Sequence, residues 1–74
     1  MALEITHIDD IKVEGLLDGA LPFHVTRNRK GITARIASWK REREDNSPKS
    51  HVTMRSAAYE MLARYRECQR LNIA

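Results

Sequence analysis

Between Leu21 and Ile36 apolar side chains occupy alternate positions, whereas after Thr53 they recur every three or four residues. A strand turns successive side chains to opposite faces, while a helix returns to one face after 3.6 residues. The chain must therefore set sheet against helix. Leu21, Phe23 and Val25 alternate with Pro22, His24 and Thr26, and Ile32, Ala34 and Ile36 alternate with Thr33, Arg35, Ala37 and Trp39. Each run predicts an apolar face for a helix and a second face bearing His24, Thr26, Thr33, Arg35 and Trp39. Asn28-Arg29-Lys30-Gly31 lies between the runs and tolerates the positive φ that a hairpin turn requires.

The helical stretch is TMRSAAYEMLARYRECQRL, in which Met54, Ala58, Met61, Leu62, Tyr65 and, at the margin, Cys68 form one apolar stripe. Thr53 or Ser56 is placed to cap its first turn. Glu60 with Arg64 and Glu67 with Arg70 have the spacing of helical charge pairs. Met61 and Tyr65 read as core filler.

Residues 1–20 admit two readings. IKVEGLL and ALPFHVT flank Asp18-Gly19, a dipeptide suited to a tight hairpin, which predicts a third strand. Alternatively Thr6 caps a helix containing Ile8, Ile11, Leu16 and Leu17, ended by Gly19. The strand is preferred, although Gly15 suits the interior of neither element. EREDNSPKS, with its breakers Asn46, Ser47 and Pro48, reads as a loop, and residues 49–53 allow a short further strand. The expected fold class is α+β: a small antiparallel two- or three-stranded sheet packed against one C-terminal helix. It forms a single small domain over 1–74, with an acidic segment 1–20, a basic hairpin 21–41, a loop 42–52 and a helix 53–71.

A hydrophobic content of 42% beside a charged content of 31% places the 74-residue chain among folded proteins rather than disordered ones. The lone Cys68 has no internal disulfide partner, the N-terminus lacks an export signal, and no apolar run approaches the roughly 20 residues that span a bilayer. A cytoplasmic setting without membrane contact is expected.

Catalytic chemistry has little to work with. His7, His24, His51 and Cys68 lack close zinc-type spacing. Cys68 lies near the apolar side of the helix, Asp9 and Asp10 diverge as neighbours, and three glycines make no phosphate loop. No enzyme, metal or cofactor is expected.

Charge is more informative. Residues 1–20 carry Lys12 against Glu4, Asp9, Asp10, Glu14 and Asp18, whereas residues 21–74 hold twelve bases against five acids. Arg27, Arg29 and Lys30 near the turn, with Arg35, Trp39 and Arg41 along the strand, compose a candidate nucleic-acid surface. A sheet face or two-stranded ribbon enters the major groove, where arginine pairs with guanine and turn cations meet phosphates. Arg55, Tyr59, Arg66 and Arg70 make a second polar stripe on the helix. The bland alternative is that both patches are simply solvated.

KGITARI followed by RSAAYEMLARYRE resembles the plant ethylene-response-factor DNA-binding domain and the arm-binding domain of tyrosine recombinases. That resemblance implies a three-stranded sheet laid in the major groove and backed by a C-terminal helix. It also implies Arg35 as a base or phosphate contact, supported by Arg27 and Arg29. With a helical N-terminus the order α-β-β-β-α would instead resemble a double-stranded RNA-binding domain. The expectation is a non-catalytic DNA-binding accessory or regulatory protein, with RNA as another polyanion. The rival is a small phage-like protein that inhibits or adapts a host protein through Trp39, Arg55, Tyr59, Arg66 and Arg70. A homodimer pairing acidic with basic segments is a third arrangement.

Overall fold

The computed structural model describes residues 2–72. Five strands, β1 (Leu3–Ile8), β2 (Lys12–Leu17), β3 (Leu21–Arg27), β4 (Gly31–Ile36) and β5 (Trp39–Glu44), precede one helix, α1 (His51–Asn72). The strands form an antiparallel meander in chain order, so every connection is a hairpin. The fold is α+β with a C-terminal helix, as expected, but the sheet has five strands where two or three were anticipated.

Residues 1–20 supply the first additional hairpin. Their strand pattern is clean in β2, where Val13, Gly15 and Leu17 are buried and Lys12, Glu14 and Leu16 are half-buried. In β1 the pattern breaks at a bulge: Ile5 pairs with Gly15 and His7 with Glu14, leaving Thr6 as the extra residue. The bulge changes side-chain parity, so Leu3, Ile5 and Ile8 all pack against the core. Gly15 is needed where it stands, because a Cβ there would lie 1.9 Å from the Glu4 carbonyl oxygen. At the next turn Asp18 and Gly19 adopt φ of 53° and 72°, and the Ala20 N–H donates to the Leu17 carbonyl at 3.1 Å. This is the backbone that Asp-Gly favours.

The other additional strand arises inside what reads as one run ending at Trp39. Ala37 takes a positive φ of 52°, Ala37-Ser38 reverses the chain, and Trp39 pairs with Ile36. Residues 42–44, expected in a loop, continue β5. Its sequence WKRERE is charged almost throughout, which suits an edge strand that must not recruit another.

One face of the sheet carries Val13, Leu17, Phe23, Val25, Ile32, Ala34 and Ile36 against Met54, Ala57, Ala58, Met61, Leu62 and Tyr65 of the helix. The paired alanines allow close approach of helix to sheet. The helix begins at His51, so the segment 49–53 adds no strand, and the cap is Ser50 rather than Thr53 or Ser56. The Ser50 hydroxyl accepts from the Thr53 N–H at 3.2 Å, while the Thr53 hydroxyl reaches back to the Pro48 carbonyl at 2.8 Å. Glu60 pairs with Arg43 of β5 at 2.7 Å instead of with Arg64.

Candidate nucleic-acid interface

The β3–β4 turn is organised by one side chain. Asn28 Oδ1 accepts from the N–H groups of Lys30 and Gly31 at 2.9 and 3.0 Å, and the Asn28 N–H donates to the Gly31 carbonyl at 2.8 Å. The asparagine satisfies the turn from within, leaving Arg29 and Lys30 exposed.

Arg27 belongs to the interior. Its register with Ile32 and Arg43 places it on the helix side of the sheet, and its side chain is 3% exposed. The guanidinium donates to the Ser47 carbonyl at 3.3 Å, the Ser47 hydroxyl at 3.2 Å and the Thr53 hydroxyl at 3.5 Å. Asp45 lies 4.0 Å away. Arg27 therefore latches the β5–α1 connection to the sheet, which corrects its expected place on a recognition surface.

Trp39 also changes sides. A two-residue turn sets it opposite Ile36, on the helix side, where it meets Tyr65 with ring centroids 5.5 Å apart. Arg41, two residues on, pairs with the buried Ala34 and shares that side, although it is exposed. Of the expected strand cations, Arg35 alone projects from the open face. The hairpin set is thus divided into turn, interior, helix side and open face.

Cross-strand register assembles the open face. His7, Glu14, His24, Arg35 and Lys40 lie in one row across all five strands, beside a row of Lys12, Thr26, Thr33 and Glu42. Lys12 pairs with Glu14 at 3.0 Å and Lys40 with Glu42 at 3.1 Å. The hydrogen bond and charge of Lys12 hold the Glu14 carboxyl below its ordinary value. Arg35 keeps no acidic partner, and the carboxylates nearest it in the two rows are each held by a lysine. Lys12 and Lys40 were missed as members of this face; strand parity, once the turns are known, identifies both.

On the helix, Arg55 and Arg70 are exposed and have no acidic partner among the described residues, and Tyr59 is 38% exposed. Arg66 is engaged by Asp18 of the β2–β3 turn. The stripe is real but one of its arginines anchors the helix to that turn.

Ion pairing has a consequence for the whole surface. Among the described residues, salt bridges to lysine or arginine engage five acids, Glu14, Asp18, Glu42, Asp45 and Glu60, and five of the thirteen bases. Among the described residues Arg29, Lys30, Arg35, Arg41, Lys49, Arg55, Arg64 and Arg70 are all exposed and without an acidic partner.

No group of three or more potential metal ligands occurs among the described residues, and no described helix is long and apolar enough to cross a membrane. No protein-family model, curated protein or solved structure matches the chain.

Proposed function

We propose that this protein is a non-catalytic nucleic-acid-binding accessory or regulatory protein whose contact surface follows the β3–β4 hairpin, with double-stranded DNA as its partner. The observation that carries the reading is that, among the described residues, eight exposed bases have no acidic partner, and Arg29, Lys30 and Arg35 of this hairpin are three of them. Ion pairing leaves the net charge of +3 unchanged but gathers the neutralised charge into pairs, so the charge open to a partner is mostly basic. Arg29 and Lys30 approach phosphates at the turn. Arg35, flanked by His24, lies roughly 16 Å further along the strand, given about 3.3 Å per residue, and offers the planar donor pair that fits phosphate or guanine.

The test is binding of random duplex DNA followed by fluorescence anisotropy across a salt series. Neutralising about five phosphates makes log K fall against log salt with a slope of about −4 to −5. Reversing Arg29 and Lys30 to glutamate abolishes measurable binding, and a wild-type protein that ignores duplex at low salt refutes the reading.

A second reading rests on Tyr59, whose exposed ring lies in a stripe with Arg55 and Arg70. Tyrosine and arginine dominate protein-binding hot spots, so this face suits a small phage-like inhibitor or adaptor of a host protein. Trp39 leaves that set, since its ring packs on Tyr65. Binding to such a partner depends weakly on salt and is lost in Tyr59→Ala.

A further inference from the structure

At the end of the molecule where the β1–β2 turn, the β3–β4 turn and the β5–α1 connection converge lies a cleft of about 520 Å³, lined in part by Ile11, Arg27, Arg29, Asp45, Ser47 and Lys49. Its size falls within the range of small-ligand sites. Three bases and one acid face it. That acid, Asp45, is already occupied: it accepts from the Ser47 hydroxyl and N–H and pairs with Arg43 at 3.0 Å. Ser47, then Arg43, hold its carboxyl at about 2, so its charge is internally matched.

Arg27 lines the cleft with only 3% of its side chain exposed, and its Nε–H is buried without an acceptor. Asp45, 4.0 Å away, offsets part of its charge, and the unmet Nε–H remains as a donor at the wall of the cleft. Arg29 and Lys49 stand exposed and unpaired, and Ile11 is 54% exposed with its carbonyl tied to the Arg27 N–H at 2.8 Å. An apolar side chain beside convergent cations matches one ligand chemistry well: a phosphate joined to an apolar sugar or base surface.

We propose that this cleft is a phosphate seat, in which Arg29 and Lys49 hold one phosphate of a polynucleotide above the buried Arg27 while Ile11 covers the adjoining sugar or base. The seat rests on the nucleic-acid reading above and extends the interface from the hairpin to the connection before α1. Lys49 thereby becomes a binding residue that neither the hairpin nor the helix stripe includes.

The experiment has two arms on the full chain. In the first, pyrophosphate and a short 5′-phosphorylated duplex oligonucleotide are titrated while backbone amide shifts are followed by NMR. Shifts centred on Ile11, Asn28, Arg29, Ser47 and Lys49 are expected with both. In the second, Lys49→Ala weakens oligonucleotide binding by about five- to tenfold at low salt and reduces the salt slope by about one, and Lys49→Arg restores both. Lys49 is exposed in a connecting segment, so the variants keep the fold. Oligonucleotide binding with unmoved cleft amides and an unaltered Lys49→Ala affinity overturns the seat while leaving the hairpin reading intact. Cleft shifts with pyrophosphate but no oligonucleotide binding at low salt overturn the polynucleotide as the source of the phosphate, and the proposed function with it.

Discussion

Trp39 and Tyr65 meet in a T-shaped contact, ring centroids 5.5 Å apart and planes inclined at 67°, which bridges the edge strand β5 to the helix. The helix packs across β1 to β4. The last strand is therefore reached by long side chains, here and at the 2.7 Å pair of Arg43 with Glu60. Removing the indole opens that seam. Trp39→Ala is expected to lower stability by about 2 kcal/mol, less than a fully buried tryptophan because the ring is only half-buried. Urea denaturation measures the loss, Trp39→Phe recovers part of it, and duplex affinity stays within about twofold. A large affinity loss with unchanged stability would return Trp39 to the recognition surface.

Arg27 and Arg29, two residues apart, separate structure from binding. Arg27→Ala deprives Ser47, Thr53 and Asp45 of their shared donor and is expected to cost about 2–3 kcal/mol. Arg29→Ala changes stability by less than about 0.5 kcal/mol but weakens duplex binding. Equal destabilisation by the two substitutions in chemical denaturation would contradict this division.

A position inside β2 and one in the β4–β5 turn make opposite predictions for glycine and alanine. Gly15→Ala forces a Cβ onto the Glu4 backbone and displaces β1, costing about 1–3 kcal/mol and accelerating hydrogen exchange of the β1 amides. Ala37→Gly relieves the positive φ at the β4–β5 turn and is expected to add about 0.5–1 kcal/mol. A neutral Gly15→Ala would mean that β1 does not lie over β2 as described.

Acid sensitivity follows from Asp45. Its carboxyl is held at about 2, chiefly by the Ser47 hydroxyl and N–H, against an ordinary 3.8. A depressed folded-state value means that the contribution is complete above about pH 4 and is lost as pH falls toward 2. Asp9 acts in the same direction, held down first by the Ile11 N–H and then by His7. Stability measured by urea titration should therefore decline between pH 4 and 2, with a shallower decline in Asp45→Asn. An unchanged slope in that variant would remove Asp45 as a source.

Much of this molecule is legible in its residues. Met54, Ala58, Met61, Leu62 and Tyr65 are buried as their spacing requires, and the β3–β4 hairpin turns at Asn28-Gly31. Both follow from local periodicity, which depends on the backbone of one element at a time. Sidedness across a turn does not. Ala37 carries no turn signature, so the run to Trp39 reads as one strand, and that error sends the indole to the wrong face. Nor does local sequence pick the oppositely charged partner of Arg27 or of Glu60, since both partners lie on other elements.

Hydrophobic period and turn chemistry therefore specify α1 and the β3–β4 hairpin, because those forces act between near neighbours, whereas β1 and β5 are strands by virtue of their pairing with β2 and β4. Which bases end up free was settled by long-range packing. Asp45, Asp18 and Glu60 come within reach of Arg27, Arg66 and Arg43 only after sheet and helix are assembled. The exposed charge that remains is what those contacts leave over.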